Sequence, residues 1–475
     1  MSSLPDLTTL PLPYPEIQHL LMQNCCELGL DLHLVGGSVR DLLMGRELHD
    51  LDYVVSGSSD RLARRVAGPL KAHVVCLDED FGVMRLILPD GLQLDLTNRQ
   101  GDTLEDDLAR RDCCLNAIAL TMVEDGARLE HPRPVDPTGG LADLEARRMR
   151  AVSLENLLAD PVRILRLLRI AATHTFSLDL ETLGWIESRA RALKEAPGER
   201  VATELQQILA RPDAERWVMR LLGLGLLDVL LPEATALRKL VRGPAREPWI
   251  FVETLERLRR FDTGIGRFRS EAPEAAARLM AHLENRLPGG TRLDAALRLG
   301  LLLLDAGRPW CREVTPDGTY AFPGHVIEGE GRARTASERL RLSGRTTDLV
   351  VALVKHQEAV ATWRDQPASP VARYRLFKVL GAATPGLLLS AGEDDWPAAR
   401  DALIAYLDPS SALTRPTRLL TGDVARKALD LRPGPALGVL LERALEAQLA
   451  GAFDDVEGAI AWARKKGAEP DVPPF

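Results

Sequence analysis

Two aspartates, Asp50 and Asp52, stand one residue apart at the edge of the apolar run "LDYVV". If that run is a strand, alternation puts both carboxylates on one face. Carboxylates held so close repel each other. A hard divalent ion such as Mg²⁺ relieves that repulsion, because it takes one or two carboxylates and completes its shell with substrate phosphates. About a dozen residues earlier, Gly36, Gly37 and Ser38 join the apolar "LHLV" to the helix-like "SVRDLLMG". Glycine permits close backbone approach, Ser38 can act as an N-cap, and a helix start offers unpaired N–H groups to phosphate. Metal carboxylates and anion cradle together describe a site for a metal–nucleoside triphosphate. Paired metals about 3.5–4 Å apart can activate a hydroxyl and stabilise a leaving oxygen.

Further residues fit the same chemistry. Asp95 in "LQLDLTNR" can supply a third carboxylate from a neighbouring strand. In "DLARRDCCLNAIAL", Arg110, Arg111 and Asp112 adjoin an apolar helix, with Asn116 about one turn on. Two guanidiniums can neutralise phosphate oxygens, while Asp and Asn can accept from ribose hydroxyls. Each signal alone is an ordinary surface feature; their close clustering carries the assignment.

These residues need elements to position them. The pattern predicts a helix from about Tyr14 to Gly29, then a strand at "LHLV", a helix at "SVRDLLMG" and a strand at "LDYVV". "DRLARRVAGPL" follows as a helix, and "AHVVCL", "VMRLILP" and "LQLDLTN" as strands. Strands are expected only in about the first 140 residues, an α+β arrangement, and the remaining two-thirds should be almost entirely helical. Gly/Pro-rich joins fall near Arg242–Pro248, Leu287–Gly290 and Pro309–Pro323.

The bulk composition narrows the class. The 475 residues suggest about three domains. Hydrophobic residues make up 45%, charged residues 27% and aromatics only 4%, so the core must be mostly aliphatic. A net charge of −8 argues against a wholly basic nucleic-acid coat but allows a local basic face. The six cysteines show no C-x-x-C spacing, which speaks against a zinc site or a disulfide framework. The first 20 residues lack a signal-peptide pattern, and no window approaches 18 uninterrupted apolar residues. A soluble, cytoplasmic protein without membrane contact is expected.

In order along the chain, "LVGGSVRDLLMGRELHDLDYVV", "ARRDCCLNAIAL", "DPTGGLADLEARRMRAV", "DPVRILRLLRIAA" and "GERVATELQQILA" resemble the motifs of class II tRNA nucleotidyltransferases and bacterial poly(A) polymerases. The clear likeness covers about residues 32–210, and a looser one continues to the end. It implies a polymerase-beta-like nucleotidyltransferase head over 1–145, a helical neck over 146–235, a helical body over 236–405 and a helical tail over 406–475 that contacts tRNA. It further implies transfer of C and/or A from CTP and ATP to the 3′ end of tRNA, with Mg²⁺ as cofactor and no obligate protein partner.

By the same resemblance, Asp50 and Asp52 hold catalytic Mg²⁺. Gly36, Gly37, Arg40 and Asp41 bind phosphate, with Ser38 beside them. Arg110, Arg111, Asp112 and Asn116 contact the nucleotide's ribose and phosphates. Asp136 and the glycines of "DPTGG" match a hinge. Asp160 and Arg163 match the pair that reads the incoming base, and Arg166 and Arg169 of the same segment are assigned to the nucleotide as well. In "DPVR" these readers, three apart, are expected on one helical face. The segment with Asp78, Glu79, Asp80 and Arg85 takes the place of the family's flexible loop.

The chain departs from the family in three places. Ala159-Asp160 stands where Glu-Asp is usual, and "CCLN" follows Arg-Arg-Asp where many relatives have Phe-Thr-Ile-Asn. A region resembling a metal-dependent HD phosphohydrolase domain has Leu304-Asp305 for its His-Asp pair and Glu253 for a His, with Asp305 and His325 retained. A leucine cannot ligate, so this region is expected to serve as a scaffold. The alternatives are a poly(A) polymerase, a CC-adding or A-adding enzyme, a catalytically inactive RNA-binding relative and an HD phosphohydrolase. The ending "KKGAEPDVPPF", which is not strongly enriched in Arg and Lys, weighs against the first, and the intact Asp50 and Asp52 against the third.

Overall fold

The computed structural model describes residue 5 and residues 12–48, 50–121, 124–125, 128–129, 133–240 and 250–466. The expected join near Arg242–Pro248 lies outside them. Two compact units divide the chain, residues 1–196 and 197–475.

The first unit is built on a seven-stranded mixed sheet. Helix α1 (Pro15–Leu28) ends on Gly29 in the left-handed conformation and leads into β1 (Leu32–Val35), whose four residues are all buried. Helix α2 (Gly36–Leu43) follows without a break, and the chain returns as β2 (Asp50–Val55), antiparallel to β1. Helix α3 (Ser59–Leu70) crosses to an antiparallel hairpin of β3 (His73–Asp78) and β4 (Val83–Ile87). Strand β5 (Gln93–Asn98) then enters between β4 and β2, antiparallel to the former and parallel to the latter. Helix α4 (Leu104–Ala109) and a 3₁₀ turn at Cys114–Asn116 precede β6 (Ala119–Thr121), which flanks β1, and β7 (Arg133–Val135) forms the edge. The order is β3-β4-β5-β2-β1-β6-β7. Central position explains why all four residues of β1 are buried, His33 included, whereas β2 begins on exposed Asp50 and is continuously buried only from Tyr53 on.

Beyond the sheet come α5 (Gly140–Glu145), α6 (Leu154–Ala159), α7 (Val162–His174) and α8 (Leu180–Arg189). Asp136 caps α5, accepting from the N–H groups of Gly140 at 2.7 Å and Leu141 at 2.9 Å. A side chain at Gly140 would put a Cβ 2.1 Å from the Cys114 carbonyl oxygen, so only glycine fits there. Among its described residues, the second unit has helices joined by turns and loops and a two-residue ladder, Glu313–Val314 with Tyr320–Ala321. With the ladder Arg148–Met149 and Ser177–Leu178, this corrects the expectation that strands end near residue 140. The last helices, Gly422–Leu429, Pro435–Leu449 and Val456–Lys466, share a small core of Leu420, Ala425, Ala444, Phe453, Ala459 and Ala463.

Candidate active site

The parallel pairing of β2 with β5 sets Asp52 directly beside Asp95, and the pairing of β5 with β4 sets Asp95 beside Arg85. The three form one row across the sheet. Asp95 accepts from Arg85 through both oxygens, each at 2.7 Å. Asp52 has no such partner: among the described residues no cationic side chain lies within ion-pairing distance of its carboxylate. Burial raises its pKa, and Asp95 and Asp50 add to the rise while Arg111 opposes it.

Ser38 is not the N-cap that its place after two glycines suggested. Val35 occupies that position, and Gly36 opens the helix at φ +70°. Ser38 lies within the first turn and faces β2. Its hydroxyl accepts from the Asp52 N–H at 2.8 Å and donates to the Asp50 carbonyl oxygen at 3.1 Å. It braces the strand that carries both aspartates. A Cβ on Gly36 would sit 3.1 Å from Arg111 Nη1 and 3.5 Å from Asp52 Oδ2. The glycine therefore marks where a guanidinium, a carboxylate and a helix start converge.

Arg110, Arg111 and Asp112 do not adjoin a continuing helix. They form the turn between α4 and the 3₁₀ segment that ends at Asn116. Arg111 donates to Asp107 at 3.1 Å through Nη2, and its Nε–H has no protein acceptor. Arg40 is buried and differently employed. It donates to both oxygens of Asp41, at 3.0 and 2.9 Å, and to Asn116 Oδ1 at 2.8 Å. Asn116 in turn donates to Asp112 Oδ1 at 3.0 Å, and Arg166 Nε lies 2.9 Å from Asp112 Oδ2. Burial disfavours the Asp112 carboxylate, but Arg166, Asn116 and the Cys113 N–H outweigh it and hold its pKa below the usual value. Five of the sequence-selected residues thus form one chain, Asp41–Arg40–Asn116–Asp112–Arg166.

Asp160 and Arg163 meet, but not on one helical face. Asp160 is extended and closes α6, and Pro161 starts α7. The turn brings the Arg163 N–H to the Asp160 carbonyl oxygen at 3.0 Å and Arg163 Nε to 3.9 Å from Asp160 Oδ2. Arg163 Nη1 donates to the carbonyl oxygens of Arg110 at 2.8 Å and Asn156 at 3.3 Å. Arg166 and Arg169 follow at three-residue steps on α7. The segment Asp78–Arg85 is a hairpin: Asp78 ends β3 and accepts from the Phe81 N–H at 3.0 Å, and Arg85 is already in β4.

The sequence reading missed two residues. Asn156, on α6, donates to the carbonyl oxygens of Ala109 at 2.8 Å and Arg111 at 2.9 Å. It thereby ties the base of the Asp160–Arg163 turn to the Arg110–Arg111 turn. Nothing in "SLENLLAD" separates it from a solvated helix residue. Asn156→Ala is expected to cost about 1–2 kcal/mol of stability and to raise KM for the nucleotide several-fold, read by thermal unfolding and initial rates.

His174, at the end of α7, is buried with Nε2 3.7 Å from Asp41 Oδ1. Burial and the adjacent Arg40 lower its pKa to about 4. A folded-state value below the unfolded one favours the neutral ring, so stability is full above pH ~6.5 and falls with pH down to about 4. Unfolding free energies from urea titrations at pH 7 and pH 5 should differ by about 2 kcal/mol from this group, and His174→Gln should remove that part.

In the second unit Asp305 is fully buried and clamped by arginines. Arg308 Nε donates to it at 2.6 Å and Arg257 pairs with its other oxygen. His325 bonds to the Phe322 carbonyl oxygen at 2.8 Å. Among the described residues no group of three or more His, Cys, Asp and Glu converges as a metal cage.

Comparison with known proteins bears on the fold and the family. A family model described as the poly A polymerase head domain matches residues 32–150, and one described as a probable RNA and SrmB-binding site of polymerase A matches 175–237. The A-adding tRNA nucleotidyltransferase of Deinococcus radiodurans is 31% identical over 92% of this chain and 95% of its own. The CC-adding tRNA nucleotidyltransferase of Geobacter sulfurreducens is 32% identical over 89% of each chain. A solved CCA-adding enzyme in complex with ATP shares the fold, with a TM-score of 0.69, 19% identity and 99% of this chain covered, all of that chain being matched.

Proposed function

The chain belongs to the class II tRNA nucleotidyltransferases, and from that premise we propose that its head adds the C and A residues of the CCA end to tRNA. CTP and ATP are the donors, the tRNA 3′-hydroxyl is the nucleophile and pyrophosphate leaves. The observation that carries this reading is the convergence of Asp52, the Gly36 helix start and the Arg111 guanidinium.

Nucleotidyltransferases of this family use divalent metal ions. We assign Mg²⁺ to Asp50 and Asp52, whose two hard oxygen donors suit an ion that keeps waters and substrate phosphates. When bound there it would lower the pKa of the attacking hydroxyl and offset charge building on the α-phosphate. Asp95 could join only if Arg85 released it, since Arg85 holds both of its oxygens.

The remaining roles follow from how each side chain is employed. Arg111 has donors to spare beside Gly36 and would take triphosphate oxygens. The N–H groups at the start of α2 would take others. Arg40, engaged by Asp41 and Asn116, is a positioning residue that fixes Asn116 and Asp112 for the ribose. Asp160 and Arg163 would read the base. We assign tRNA contact to the tail over 406–475, by shape and phosphates rather than sequence. No described helix is long and apolar enough to cross a membrane, and the six free cysteines suit a reducing compartment, which we take to be the cytoplasm.

The test is incorporation on tRNA transcripts lacking CCA, CA, A or nothing, with Mg²⁺ and CTP, ATP or both. Completion of CCA on the bare end is expected. Addition of CC alone, of A alone or of a long A tail would replace this reading with a sibling activity, and no product on any transcript would overturn it.

A further inference from the structure

A cavity of about 290 Å³ in the second unit is lined by three guanidiniums, Arg257, Arg260 and Arg364, and a single carboxylate, Asp395. Two of the three guanidiniums have ion-pair partners. Arg257 pairs with Asp305 and sits 4.0 Å from Glu253, and Arg364 Nη2 pairs with Asp395 at 2.8 Å. Arg260, on the helix Ile250–Glu271, has no carboxylate within ion-pairing distance among the described residues; its Nε donates only to the Ser390 carbonyl oxygen at 3.2 Å. A half-buried guanidinium without an acid is costly unless an anion compensates it. Burial lowers the pKa of Arg260, and Glu256 and Glu253, too far away for an ion pair, offset this only in part.

The rest of the wall suits an organic group attached to the anion. Leu304, Val360 and Leu387 give it an apolar side. Gln357 spends its amide N–H groups on the carbonyl oxygens of Leu304 and Val354, at 3.0 Å each, leaving its own carbonyl as an acceptor. The size is at the small end of ligand pockets, about 300–1,000 Å³.

We propose that this cavity binds a small phosphorylated molecule of mononucleotide size, its phosphate held by Arg260, Arg364 and Arg257. Guanidiniums match phosphate geometry and pair with it through several parallel hydrogen bonds. Asp305 takes no part as a metal ligand, because Arg257 and Arg308 occupy its oxygens.

The experiment is calorimetric titration of the full-length protein with inorganic phosphate, AMP and adenosine, and with a short 5′-phosphorylated oligoribonucleotide. Phosphate and AMP should bind, AMP more tightly, in a way that Arg260→Met with Arg364→Met weakens roughly tenfold or more. Arg364→Glu is the second variant; its side chain is 48% exposed, so it should fold, and it puts a negative charge at the site. AMP binding through the head is untouched by these changes and stays as a constant background. Phosphate and AMP isotherms unaltered by either variant would overturn the proposal, as would AMP binding no tighter than adenosine. Loss of oligoribonucleotide binding alone would assign the arginines to an RNA backbone and overturn the small-molecule site.

Discussion

Asp52→Asn should cut incorporation from both CTP and ATP by about 10³-fold or more while making the folded protein more stable. The two effects have one cause. The Asp52 carboxylate is half-buried, lies beside Asp95 and Asp50, and has no ion-pair partner among the described residues, so its pKa is raised. A carboxylate with a raised folded-state pKa opposes folding at neutral pH, because the unfolded chain releases that proton more readily. The amide keeps the shape and the Ser38 contact at Oδ2 yet removes the charge. A residue kept for packing would show the opposite pattern, with lost stability. The same logic predicts that Mg²⁺ raises the unfolding midpoint of the native protein and leaves that of Asp52→Asn unmoved. An active variant, or an unchanged response to Mg²⁺, would remove Asp52 from the metal site.

What could be read from the sequence at this site follows from what is local. The period of two in β2 is a property of one strand, so the shared face of Asp50 and Asp52 was legible. The glycines before α2 were legible for the same reason. The role of Ser38 was not, since its partners sit on the next strand and the helix had already begun at Gly36. Arg85 and Asp95 look independent in one dimension; only strand register makes them a bidentate pair. Arg40 was assigned to phosphate by motif, but Asn116, 76 residues away, takes one of its nitrogens. The helical remainder was legible as a class because aliphatic periodicity is local too. The cavity around Arg260 was not, because it is assembled from four separate helical segments and the loop after the last of them.

Arg163→Ala should lower incorporation of both C and A by about 10²-fold and, more tellingly, narrow the gap between CTP or ATP and UTP or GTP. The side chain is anchored before any nucleotide arrives: Nη1 is bound to the carbonyl oxygens of Arg110 and Asn156, leaving Nε and Nη2 directed by that anchor. With Nε 3.9 Å from Asp160 Oδ2, a donor edge and an acceptor stand side by side. Cytosine and adenine each offer an exocyclic amino group beside a ring-nitrogen acceptor, and this pair complements both. Uracil offers a carbonyl and an N–H in those places, so it meets an acceptor with an acceptor and leaves the guanidinium unsatisfied. Lysine should not rescue, because an ammonium is a point charge and cannot be anchored at one nitrogen while donating in plane from the others. Asp160→Asn should relax the rejection of UTP in particular, since the amide can donate where the carboxylate could only accept. Single-turnover rates with each of the four triphosphates on one transcript check this. A uniform loss across all four would mean that Arg163 only supports the Arg110 turn, and selection would then have to reside in other residues.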